Sequence, residues 1–187
     1  MLKRAFDILI SACLIVILVP VFAACALAVR LSSPGPVIFK SRRIGRGGSI
    51  FEMLKFRTMR EGAPQVATHL LANPKNLVTP VGKFLRRSSL DELPQLWNVI
   101  RGDMSLVGPR PALFNQDDLI ALRGESGVEA LRPGITGWAQ VCGRDGIRIE
   151  EKAALDAEYL RKRTFLFDLR ILLLTSFKVL KSEGIQH

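Results

Sequence analysis

At 187 residues and 20.7 kDa the chain has room for one folded domain with a modest core. Its 27 Lys and Arg outnumber 17 Asp and Glu, giving a formal charge of +10 and a pI near 10.2, which points to polyanionic partners: nucleic acid, anionic lipid or phosphorylated substrates. Two histidines, His69 and His187, and an odd set of three cysteines, Cys13, Cys25 and Cys142, exclude a His-based zinc site, a Ser-His-Asp triad and a disulfide framework, so any chemistry runs on carboxylates, Lys and Arg in a reducing compartment.

The first element is apolar. Ile8 to Val29 is 22 residues without a charge, and roughly 20 apolar residues suffice to span a bilayer. Pro20 interrupts the run, and basic residues flank both ends: Lys3 and Arg4 before it, Arg30, Lys40, Arg42 and Arg43 after it. Positive flanks prefer the cytosolic face, and a helix that enters, kinks at Pro20 and returns satisfies both. A spanning helix and a signal peptide ending at Ala26-Leu27-Ala28 stay open beside this re-entrant reading. A Pro/Gly-rich exit, Ser32 to Val37, closes the element.

Two short strands are predicted within Val37 to Met59, joined by a hairpin turn at Gly45 to Gly48 that lacks the spacing of a phosphate-binding loop. Residues 60–78 are polar and read as a surface loop. A helix is predicted over Pro80 to Arg87 with Thr79 as N-cap, and another from about Asp91 to Ile100. Further helices are predicted near Asn115 to Leu122, over Glu150 to Arg161, and over Phe165 to Gly184. Asp168, Arg170, Lys178 and Lys181 punctuate the last of these, so it is expected to pack on the core or lie in a membrane interface. The fold class is therefore mostly α with a small β element (α+β).

Adjacent carboxylates, Asp91 and Glu92, follow the arginine pair Arg86-Arg87 and precede Pro109-Arg110-Pro111. Ser89 to Glu92 matches a capping box, whereas Pro94 favours Asp91 itself as the cap; either start puts both carboxylates at a helix N-terminus. Prolines on both sides stiffen the chain at Arg110, and a rigidly held guanidinium suits phosphate recognition. The combination describes a phosphate-rich site in which a carboxylate attacks phosphorus, a second one holds Mg²⁺ and arginines neutralise charge.

The segments RRSSLDELPQLWNVIRGDMSLVGPRP, RPGITGWAQV and LDAEYLRKRTFLFDLRILLLT make the chain similar to the bacterial sugar transferases, the small monotopic phosphoglycosyl transferases. The resemblance covers nearly the whole chain. It implies transfer of a sugar 1-phosphate from a UDP-sugar to undecaprenyl phosphate, with UMP released, through a covalent aspartyl intermediate at the cytoplasmic face of the bacterial inner membrane. It further implies a re-entrant helix over residues 1–31, a catalytic domain over residues 32–187, and interfacial amphipathic helices. Carried over by position, Asp91 is the nucleophile and Glu92 the Mg²⁺ ligand. Arg86, Arg110 and Arg132 bind phosphate, and Lys55, Arg144, Asp156 and Tyr159 match further substrate-binding positions. Lys55 snorkelling at the interface and Asp156 pairing with Lys152 are the plain structural alternatives.

The chain departs from the family's usual pattern in two places: Val19 stands where Ser often precedes the membrane-helix proline, and Cys142 replaces Asn in the QVNGR loop. Larger members carry spanning helices upstream, for which this chain is too short. A homo-oligomer is compatible with the resemblance, and no nucleic-acid partner is expected: aromatic residues are 7% of the chain, few for base stacking. An inert module binding anionic lipid or nucleic acid, and a Mg²⁺ phosphohydrolase, are the competing readings.

Overall fold

The computed structural model describes residues 2–63, 77–143 and 147–180. The apolar run forms two helices, α1 (Leu2–Ile17) and α2 (Val19–Ser32), bent by 66°. Pro20 causes the bend, because it offers no N–H to the carbonyl of Val16 and its ring crowds that carbonyl. The ladder continues on either side, from Leu18 N to Leu14 O and from Phe22 N to Leu18 O. Among the described residues no single helix is long and apolar enough to cross a membrane; only the bent pair together has that length and composition.

The pair is polar inside and apolar outside. Asp7 and Ser11 are 3% and 0% exposed, while Val16 and Ile17 at the elbow are 71% and 70% exposed. A helix facing water shows the reverse pattern. Three polar residues of α1, Asp7, Arg4 and Lys3, are bonded into the rest of the chain, whereas buried Ser11 Oγ has no partner among the described residues. Asp7 Oδ2 accepts from Ser105 Oγ at 2.7 Å, and Arg4 donates to the carbonyls of Val99 and Ile100 at 2.6 and 3.0 Å. Lys3 pairs with Asp168 at 2.7 Å. Lys3 and Arg4 are thus not merely a charged flank, since Arg4 caps a helix C-terminus, joining Gly102 N at the Val99 carbonyl and satisfying the Ile100 carbonyl.

After α2, β1 (Ile38–Ile44) and β2 (Ile50–Phe56) pair antiparallel with Ser41 opposite Met53, as predicted. Gly47 and Gly48 make the turn with φ of 65° and 77°. Of the predicted loop, Arg60 N bonds Leu77 O and Met59 bridges Val78; residues 64–76 lie outside the description. Helix α3 (Pro80–Arg87) starts where predicted, with Thr79 Oγ1 accepting from Gly82 N at 2.9 Å.

The helix predicted from Asp91 begins later. Leu90–Glu92 is a single 3₁₀ turn, and α4 runs only from Gln95 to Arg101. No capping box forms: Ser89 takes a left-handed φ of 56° and its side chain caps nothing. Pro94 fits the corner between the two elements because the missing N–H is not needed there.

Two strands and a short helix had no counterpart in the sequence reading: β3 (Ser105–Val107), β4 (Gly134–Thr136), which pair in parallel, and α6 (Trp138–Cys142). Between β3 and β4, α5 (Asp117–Glu125) sits slightly later than predicted, followed by a 3₁₀ turn at Val128–Ala130. Helices α7 (Ile149–Lys162) and α8 (Phe165–Leu180) complete the chain, α8 being described only to residue 180. The mostly helical α+β class is borne out.

The main core gathers Met53, Leu96, Val99, Met104, Val107, Leu131, Tyr159 and Ile171, with Phe6, Ile10 and Leu14 of α1 packed against it. A second cluster joins Cys25 and Val29 of α2 to Phe56 and Leu85, with Leu90 and Leu93 against it. Both arms of the bent pair therefore share apolar packing with the elements around Asp91 and Glu92.

Candidate active site

Four segments meet at the carboxylate pair, and each is fixed by local chemistry. The 3₁₀ turn carries Asp91 and Glu92, bracketed by Leu90 and Leu93, which pack into the second cluster. The left-handed Ser89 just before it is a position L-residues rarely adopt, and such strain concentrates at functional turns.

Strand β2 supplies Lys55. Its Nζ lies 2.7 Å from Glu92 Oε1 and 3.9 Å from Asp91 Oδ2, so Lys55 is an ion-pair partner rather than a snorkelling surface residue. Fully buried Asn98 on α4 holds that strand in place: Leu54 N donates to its Oδ1 at 2.9 Å, and its Nδ2 donates to Glu52 O at 2.8 Å.

Helix α3 supplies Arg86, whose Nε donates to Thr58 Oγ1 at 2.9 Å. Gly82 makes this possible, because a Cβ there would collide with the Thr58 carbonyl. The segment after β3 supplies Arg110, with Nη2 at 2.9 Å from Glu92 Oε1. This loop crosses the start of β4 so closely that a Cβ on Gly134 would strike the backbone of Gly108.

The neighbouring carboxylates are electrostatically unlike. Burial raises the Asp91 carboxyl above its ordinary value; Lys55, Arg86 and Arg110 oppose the rise and Glu92 adds to it, with burial prevailing. Burial pushes Glu92 the same way, but Arg110 and Lys55 act on it as adjacent charges and hydrogen-bond donors and hold it far below the usual carboxylate range. Burial lowers Arg86, with Asp91 opposing. The site thus pairs a fixed anion, Glu92, with a buried, more basic carboxylate, Asp91.

These features can be set beside known proteins. A model of the family described as bacterial sugar transferase matches residues 1–182. The chain belongs to the bacterial sugar transferase family. The family is the one that its motifs led us to expect. The chain is 43% identical over 186 residues to the UDP-glucose:undecaprenyl-phosphate glucose-1-phosphate transferase of Escherichia coli K12, covering 95% of this chain and 40% of that protein. It is 42% identical to the uncharacterized sugar transferase EpsL of Bacillus subtilis 168, covering 100% of this chain and 91% of EpsL. The undecaprenyl-phosphate galactose phosphotransferase of Salmonella typhimurium LT2 is 37% identical over 198 residues, covering 98% of this chain and 41% of that protein. The chain therefore spans about two-fifths of the E. coli and Salmonella transferases and nearly all of EpsL.

The other described family positions, Arg132, Asp156 and Tyr159, make hydrogen bonds with residues other than the pair. Arg132 Nε donates to Gly102 O at 3.0 Å. Asp156 is 1% exposed and accepts from Arg123 Nε and Nη2 at 2.9 and 2.5 Å, a tie between α7 and α5 to which Lys152, its alternative partner, adds a charge interaction. The Tyr159 hydroxyl donates to Asp168 Oδ1 at 2.7 Å, and Asp168 also holds Lys3. Burial, with Asp168 adding to it, drives the Tyr159 hydroxyl above its ordinary value. The contacts of Asp156 and Tyr159 are thus internal to the fold, and the expectation that they touch substrate finds no support in them. Arg144 lies outside the described residues.

Sequence reasoning missed Asn98, Thr58 and Arg43. Arg43, read only as flanking charge, donates through Nη1 to Pro111 O at 3.1 Å and through Nε to Ser41 Oγ at 3.0 Å. Burial and the neighbouring Arg110 lower it to about 10, with Glu92 opposing. The clue available in the sequence was its place on a predicted strand beside the turn, where a guanidinium has no solvation role to fill.

Proposed function

We propose that the chain transfers a sugar 1-phosphate from a UDP-sugar to undecaprenyl phosphate, releasing UMP. The observation that carries this reading is the pair of unlike carboxylates surrounded by Lys55, Arg86 and Arg110. A buried carboxylate with a raised pKa is a better nucleophile once ionised, and its cationic neighbours favour a phosphorylated partner.

In the first step an Asp91 carboxylate oxygen bonds to the sugar-bearing phosphorus, the bond from that phosphorus to the bridging oxygen breaks, and its electron pair leaves with UMP. In the second, a phosphate oxygen of the acceptor attacks the same phosphorus and returns the electron pair to Asp91. The products are undecaprenyl diphosphate-sugar and free enzyme. Arg110 and Arg86 are the groups that offset charge at the phosphorus.

Mg²⁺ fits the donor set as an ion shared with substrate. Among the described residues no group of three or more His, Cys, Asp or Glu comes together, so the protein alone forms no cage. Mg²⁺ needs only one or two carboxylates plus phosphate oxygens. Lys55 and Arg110 both address Glu92 Oε1, leaving Oε2 without a protein partner among the described residues. Glu92 would hold the ion, which when bound neutralises charge on the diphosphate.

The bent helix pair supports attachment at a membrane from one side, at the inner membrane's cytoplasmic face. Its apolar elbow faces outward and its polar residues are tied to the site-bearing core, which would keep the carboxylate pair at the surface where a lipid-linked phosphate sits. The deciding experiment is UMP release by the lipid- or detergent-supported protein, with Mg²⁺ and undecaprenyl phosphate, across a panel of UDP-sugars. Release that depends on one sugar and disappears in Asp91→Asn is expected. Hydrolysis to free sugar phosphate without acceptor dependence would overturn the assignment.

A further inference from the structure

Among the described residues four cations gather at the carboxylate pair: Lys55, Arg86 and Arg110 act on Asp91 and Glu92, and Arg43 joins the same field through Arg110 and Glu92. Lys55 and Arg110 form ion pairs with the carboxylates, whereas Arg43, like Arg86, forms none among the described residues. Arg43 Nε and Nη1 are committed to Ser41 Oγ and Pro111 O, while Nη2 has no partner among the described residues.

The position of Arg43 is fixed by the backbone as well. Arg43 bridges Leu113 across an antiparallel contact, and Ile44 N donates to Ala112 O at 3.0 Å, so β1 lies directly along the segment that carries Arg110. A neutral donor such as Gln would serve to hold the Pro111 carbonyl. Placing a second guanidinium beside Arg110 instead opposes its own charge, a cost that Glu92 offsets in part and a bound anion would offset further. A guanidinium anchored on two sides presents its remaining donor without further loss of side-chain freedom, and beside Arg110 it suits the oxygens of a diphosphate.

We propose that Arg43 is a substrate-binding residue that forms, with Arg110, a two-guanidinium clamp on the diphosphate of the nucleoside diphosphate sugar. This rests on the transferase reading above and extends it to a residue on a separate strand. Arg43 contacts the phosphates directly, in addition to bracing the Arg110 loop.

Calorimetric titration with UDP in the presence of Mg²⁺, using the full chain in detergent or nanodiscs, tests the proposal. Arg43→Gln is expected to weaken UDP binding about 10- to 100-fold, the range lost with a charge-assisted hydrogen bond, with uridine binding unchanged and Arg43→Lys intermediate. The same substitution is then made in Arg110→Gln. A direct contact lowers UDP affinity in both backgrounds, whereas a pure bracing role lowers it only when Arg110 is present, and that second result would overturn the clamp. Unchanged UDP affinity in Arg43→Gln would overturn it as well. Should Arg43→Gln fold poorly, Arg43→Lys keeps the charge and the donor to Pro111, and wild-type UDP affinity in that variant refutes the two-pronged contact. Absence of UDP binding in the wild-type chain is a different outcome: it removes the transferase reading itself.

Discussion

Two charged clusters lie within one small domain, and they are built on opposite terms. Behind the site, Arg123 meets Asp156 and Lys3 meets Asp168, one cation to one carboxylate, with Tyr159 donating to Asp168. At the site, among the described residues, Lys55, Arg86, Arg110 and Arg43 gather around Asp91 and Glu92. A balanced pair spends its charge on holding helices together, and an unbalanced one keeps charge in reserve for a ligand. The prediction is that damage to the first cluster reads out in stability, and damage to the second in binding and rate.

The largest effect is expected from Asp91→Asn. Loss of the proposed nucleophile should reduce UMP release by about 10⁴-fold or more. Because burial opposes the Asp91 anion, the neutral amide should leave the melting temperature unchanged or raise it by a few degrees, on the scale of about 2–4 °C per kcal/mol. A clear drop in melting temperature would place Asp91 with the structural pairs.

Asp156→Ala should do the opposite. It strands buried Arg123, which costs about 3–5 kcal/mol in denaturant unfolding, while the folded fraction keeps its KM for the UDP-sugar. A selective rise in KM at undiminished stability would restore Asp156 to the substrate site.

Asn98→Ala lies between the two. It orphans Leu54 N–H and the Glu52 carbonyl, costing about 2–3 kcal/mol, and frees the strand that presents Lys55, so stability and kcat should fall together.

The pH dependence sharpens the contrast within the carboxylate pair. Asp91 acts as its anion and its folded-state pKa is raised, so the acid limb of kcat/KM should lie above the ordinary aspartate value, with activity lost as pH falls through it. Lys55→Met removes a charge that lowers Asp91 and should move that limb to still higher pH. Stability follows the linkage in the opposite sense for each partner: the Asp91 contribution is present at low pH and lost as pH rises through its raised pKa, whereas the Glu92 contribution is present above the ordinary glutamate range and lost as pH falls. The smallest effect is expected from Thr79→Ala, about 1 kcal/mol from loss of one cap, measured by thermal unfolding.

Much of the molecule was legible from local pattern. The broken apolar run, the hairpin, the cap at Thr79 and the helices α7 and α8 each follow from propensity, periodicity or a proline, which act within a few residues. So did the residues of the pair and the arginines Arg86 and Arg110. The start of α4 was misplaced because Ser89 adopts a left-handed conformation that no capping rule anticipates, and the parallel strands β3 and β4 were missed because three residues each carry no readable period.

What the amino-acid sequence determined by itself, then, is the longer helices and the hairpin, the charge of the chain and the family, since these depend on residue type and short spacing. Which cations face Asp91 and Glu92, which pair off behind them, and that Arg43 belongs at the front depended on bringing β1, β2, α3 and the Arg110 loop together. Burial and charge proximity are properties of that assembly, and they make two neighbouring carboxylates into a reactive group and a fixed anion.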